Sequence, residues 1–79
     1  MALIAKMFAQ TPEESKDTDG NVIQVRYRLT AVFSNDPDNP NTKWAKWTPS
    51  GQVDLWVNNP DAFGAIKDQT EYLVRIEEV

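Results

Sequence analysis

The chain contains neither cysteine nor histidine. Without thiols there is no disulfide framework and no thiolate zinc site, and without imidazole the Ser-His-Asp and Cys-His systems and the common zinc sites are excluded. Glycine is scarce: Gly20, Gly51 and Gly64 stand alone, so no phosphate-cradling loop is present. No apolar run approaches the roughly 20 residues that span a bilayer, and the N-terminus lacks a signal peptide's apolar core and cleavage site. These absences predict a cytoplasmic protein with no membrane partner, no metal and no cofactor.

What is present is ordinary for a folded protein. Of 79 residues, 41% are apolar and 25% charged, too rich in β-branched and aromatic types for disorder. A chain this short buries only about 60% of the surface its unfolded form exposes, so the core is small or is completed by another subunit. The formal charge of −4 repels a polyanion at long range. The charges are nevertheless uneven. Glu13, Glu14, Asp17, Asp19, Asp36 and Asp38 fall in expected loops, whereas Arg26, Arg28, Lys43 and Lys46 lie in or beside expected strands and could form a local basic face.

From Val22 to Phe33, Ile23, Val25, Tyr27, Leu29, Ala31 and Phe33 alternate with polar residues, the period of a half-buried strand. The same alternation recurs in Val53, Leu55 and Val57, and again in Tyr72, Val74 and Ile76. Ala2 to Gln10 is apolar on both faces and reads as a strand covered on both sides. Thr11 to Asn21 is polar and holds the turn pair Asp19-Gly20, which predicts a hairpin with a long tip. Ser34 to Asn41 is dense in turn formers and reads as a loop. Asn58-Asn59-Pro60-Asp61 supplies a helix cap, and a two-turn helix is expected after it with Phe63 and Ile66 facing the sheet. The expected fold is therefore mainly β over residues 1–79 as a single domain: a small antiparallel curved sheet or barrel with one short helix before the last strand, β-β-β-α-β.

Few groups could perform chemistry. Asp54 is the one acid inside a strong strand pattern, and it lies on the polar face, where a solvated or salt-bridged role is expected. Asp17-Thr18-Asp19-Gly20-Asn21 and Asp36-Pro37-Asp38 look superficially like calcium loops, but their glycine and glutamate positions miss the EF-hand template. No catalytic or metal-binding residue is assigned, and no enzyme activity is expected.

The aromatic residues carry the remaining signal. Lys43-Trp44-Ala45-Lys46-Trp47 interleaves two tryptophans with two lysines before the turn Thr48-Pro49-Ser50-Gly51, in which Gly51 is expected at positive φ, so that Gly51→Val would damage the fold. One of Trp44 and Trp47 is expected in the core. Trp56 shares the polar face of its strand with Gln52 and Asp54, and Leu73 the outer face of the last; either Trp56 is exposed there or the loops or Leu73 cover it. Two readings follow. In one, Trp44, Trp47, Trp56 and Leu73 form the centre of a protein interface, with self-association first. In the other, the tryptophans stack the bases of a single-stranded nucleic acid while Arg26, Arg28, Lys43 and Lys46 follow its backbone, as in an oligonucleotide-binding barrel. Net charge favours the first, and Trp56→Ala is then expected to weaken association.

Leu3-Ile4-Ala5-Lys6-Met7, the segment from Lys43 to Gly51, Asn58-Asn59-Pro60 with Ala62-Phe63, and Tyr72 together resemble a family of small, largely uncharacterised proteins of tailed bacteriophages. The resemblance implies a phage or prophage origin and a small accessory binding protein. It carries over no catalytic residues.

Overall fold

The alternation beginning at Val22 becomes the spine of one antiparallel sheet. The computed structural model describes residues 3–33, 36–45 and 47–79. Its strands are β1 (Leu3–Ala9), β2 (Glu13–Lys16), β3 (Val22–Ala31), β4 (Gln52–Val57) and β5 (Glu71–Ile76). Of the sequence expectations, Ala2 in the opening strand, Ser34 and Asn35 in the loop, and Lys46 fall outside the described residues.

β4 pairs with β3 from Val25 to Thr30, and the other edge of β3 is shared by β2, at Val22 to Arg26, and β1, at Leu29 to Ala31. The second edge of β1 takes β5. Four lanes result, β4-β3-β1-β5, with β2 continuing the lane of β1. Where the lane passes from β1 to β2, residues 10–12 stand opposite only Tyr27 and Arg28. The extra residue bends the lane and increases its twist, as β-bulges do. The sheet curls into a half-barrel, open along β4 and β5.

Among the described residues, only one face is packed. Ala5, Met7 and Ala9 of β1 and Val25, Tyr27 and Leu29 of β3 are buried there, ringed by half-buried residues that include Trp44, Val53, Phe63, Ile66 and Val74. The expectation that the first strand is covered on both sides is not met: Ile4 is exposed and Phe8 only half-buried on the other face.

The expected long hairpin tip is also absent. Strand pairing continues through β2, whose Glu13 faces Arg26, so Glu13 and Glu14 are strand and not loop residues. The tip shrinks to Thr18-Asp19-Gly20, closed by Asp17 N–H to Asn21 C=O at 2.9 Å, with Gly20 at φ +84°. The Asp17 carboxylate accepts the N–H groups of Asp19 and Asn21, both at 2.9 Å. The bond from Asn21 is the main reason that its pKa is lowered.

The expected helix is a single 3-10 turn, Pro60–Ala62. Asn59 caps it by accepting the Asp61 N–H at 3.0 Å. Phe63 is already extended, and Gly64 at φ +83° turns the chain out of helical geometry. Phe63 and Ile66 still pack against the core, because two phenols hold the crossing segment to the sheet: Gly64 N–H donates to Tyr27 Oη at 2.7 Å and Lys67 N–H to Tyr72 Oη at 2.9 Å.

The loop before β4 holds a second 3-10 turn, Pro40–Lys43, capped by Asn39. Its Asn41 is 1% exposed and fills the fork where β3 parts from β1. Asn41 Oδ1 accepts the Lys6 N–H, and its Nδ2 donates to the Lys6 and Val32 carbonyls at 2.8 and 2.9 Å. Gly51 departs from expectation too. It does not adopt positive φ, a Cβ there would meet nothing within 4 Å, and its carbonyl accepts the Ala31 N–H at 3.0 Å as an extension of the β3–β4 ladder.

Candidate interaction surface

The face opposite the core is built by the even residues of β3 and β4 and by their counterparts on β1 and β5. Register places Arg26 beside Trp56 and Arg28 beside Asp54. Asp54, with a side chain 17% exposed, takes Arg26 Nη2 at 2.9 Å and lies 3.5 Å from Arg28 Nε, while Arg26 Nη1 reaches Glu13 at 3.2 Å. Gln52 Nε2 donates to the remaining Asp54 oxygen at 2.7 Å. The Arg26 guanidinium lies 5.0 Å from the centre of the Trp56 ring, within cation–π range. The two arginines are therefore neutralised within the sheet. They form no open basic face.

The tryptophans are dispersed by the same topology. Trp44 is half-buried against the core and its buried Nε1 has no hydrogen-bond partner, whereas Trp47 is 80% exposed beyond the 3-10 turn. Trp56, 57% exposed, stands on β4 at one edge of the sheet; Leu73, 69% exposed, stands on β5 at the other. Trp56 and Leu73 thus stand on different edges of the sheet and Trp44 belongs to the core side, so these three do not form one patch. Lys43 ends the 3-10 turn Pro40–Lys43.

Beside Leu73 lies the apolar surface that sequence reasoning did not single out. Ile4 and Phe8 share its face, around Lys6, whose ammonium is 3.6 Å from Glu71. On the core side, Leu3 and Ile76 pair across β1 and β5 and are both exposed, so the β1–β5 flank is apolar on each face. The strand alternation at both segments was the available signal. It became informative only when β1 and β5 were known to be neighbours.

A shallow depression of about 360 Å³ is lined by Thr30, Ala31, Pro49, Ser50, Gly51 and Gln52. Two hydroxyls are its most reactive groups, and Thr30 Oγ1 already accepts from Gln10 Nε2 at 3.0 Å. Among the described residues no group of three acidic side chains is placed to hold a metal ion, and no helix is long and apolar enough to cross a membrane.

No protein-family model, curated protein or solved structure matches the chain. The likeness to small phage proteins thus rests on the motifs named above.

Proposed function

We propose that this protein is a non-enzymatic binding module that works as a homo-oligomer, with the β1–β5 flank as its association surface. Excess exposed area carries the reading. The chain exposes 6042 Å², whereas a compact 9.0 kDa monomer exposes about 4,900 Å². Its radius of gyration is 14.9 Å against about 12 Å for a compact chain of this length, and its extents are 48 × 29 × 15 Å. The surplus of roughly 1,100 Å² exceeds the ~800 Å² that each partner contributes to a standard interface. A single layer with six buried apolar side chains among the described residues gains most from a second layer or a longer sheet. The phage resemblance adds a setting, an accessory protein in the cytoplasm of an infected bacterium that binds a host or phage protein.

Single-stranded nucleic acid has less in its favour, because Arg26 and Arg28 are already paired with carboxylates and Trp44 packs against the core. Light scattering with and without a mixed-sequence oligonucleotide, at low and moderate salt, separates the two. The interaction module gives an oligomer indifferent to the oligonucleotide. A complex that dissolves as salt rises, through counterion release, supports nucleic-acid binding instead.

A further inference from the structure

From the hydrogen-bond parity of the outermost strand, we infer that two copies join edge to edge through β5, antiparallel and about a two-fold axis at Leu73. The inference rests on the self-association reading and specifies its register.

Which backbone groups face outward is fixed by bonds already made. Ala9 N–H donates to Thr70 C=O at 2.8 Å in the β1–β5 register, so Tyr72, Val74 and Ile76 direct their N–H and C=O groups toward β1. Lys6 confirms the alternation, since its N–H and C=O are used on the opposite side by Asn41 and Val32. Glu71, Leu73 and Arg75 therefore point theirs away from the sheet, and among the described residues no hydrogen bond reaches them. The strand has no proline, glycine or bulge to blunt this edge.

Two such edges meet about a two-fold only where outward residues face outward residues, which centres the axis on a residue of β5; Glu71 or Arg75 there would face its own symmetry mate with like charge, which leaves Tyr72, Leu73 or Val74. Centred on Tyr72, Glu71 faces Leu73 of the second copy. Centred on Val74, Leu73 faces Arg75 and Glu71 faces Glu77. Centred on Leu73, Glu71 faces Arg75 at both ends, Leu73 meets its own symmetry mate, and Tyr72 faces Val74 on the core side. Of the three, only this register sets opposite charges and apolar groups against each other from Glu71 to Arg75, and opposite-charge and apolar cross-strand pairs are what stabilise a ladder. The other open edge is a poorer candidate. On β4 the outward residues are Gln52, Asp54 and Trp56, since Gly51 C=O turns toward Ala31. A two-fold there sets Asp54 against itself, Gln52 or Trp56, with no opposite charge to meet it.

Charge exchange tests the register by sedimentation equilibrium. Glu71→Arg and Arg75→Glu should each weaken the dimer by about tenfold, because each change turns two symmetric attractions into repulsions. The double variant Glu71→Arg/Arg75→Glu should restore the affinity of the parent chain. Because the chain has no cysteine, Leu73→Cys provides a second readout. Facing hydrogen-bonded residues have Cα atoms about 5.5 Å apart, within disulfide reach, so mild oxidation should give a covalent dimer, whereas Gln52→Cys on the β4 edge should not. An oligomeric parent chain whose double variant stays weak and whose Leu73→Cys does not cross-link overturns this register and leaves self-association standing. A chain that is monomeric at every concentration overturns both.

Discussion

Asn41 shows how much a single residue can hold in a thin protein. Its side chain is inserted between Lys6 and Val32, bridging the Lys6 N–H to the Val32 C=O while the Val32 N–H still donates to the Lys6 C=O, and no pattern in the sequence distinguishes it from the other asparagines of its loop. Asn41→Ala should destabilise the fold by about 1–3 kcal/mol, since it leaves the Lys6 N–H without its acceptor while the Lys6 and Val32 carbonyls keep other donors; urea unfolding monitored by tryptophan fluorescence measures this. Trp56 carries a different expectation. Its alternation with Asp54 correctly marked it as an outer-face residue, yet it sits on the edge away from Leu73. Trp56→Ala should cost only the ~0.5–1 kcal/mol of an exposed cation–π contact with Arg26 and leave association unchanged. Melting temperature and sedimentation check the two halves of that statement. Gly51→Val should be tolerated, with a change in stability within about 0.5 kcal/mol by the same melt, because neither its φ nor its surroundings demand glycine.

Among the elements, the three strands with apolar alternation were legible in the sequence, and so was the first strand. β2 was not. Its Glu-Glu-Ser-Lys has no apolar period, and it becomes strand because β3 offers a continuing ladder and Arg26 offers a partner to Glu13. The helix was overread for the opposite reason. Asn59 and Pro60 are sound start signals, but Gly64 adopts a left-handed conformation and leaves room for one turn only. Asp19-Gly20 was read correctly as a turn, and the part played by Asp17 came from its carboxylate geometry. That geometry makes the tip pH-sensitive. A carboxyl whose folded pKa lies below its unfolded value contributes stability above the unfolded pKa and loses it as pH falls through the folded one. Protection of the Asn21 amide from hydrogen exchange should therefore fall on acidification below the ordinary aspartate range. Asp17→Asn should remove the pH dependence.

At the scale of the molecule, the candidate surface was only half legible. Its residue types were visible in the chain, but whether they meet depends on lane order. The order β4-β3-β1-β5 separates Trp56 from Leu73 and brings Ile4 and Phe8 beside Leu73 instead. Long-range pairing of this kind leaves no local trace, since β1 and β5 come from opposite ends of the chain. The resulting half-barrel has one packed face, two open edges and more surface than its mass warrants. Joined through β5, two copies make a continuous sheet of eight lanes, with the apolar β1–β5 flanks at its centre. Sedimentation equilibrium of the unmodified chain over a wide concentration range tests this most directly: the account predicts a species of twice the 9.0 kDa chain mass that dissociates on dilution, and a mass of 9.0 kDa at every concentration would contradict it.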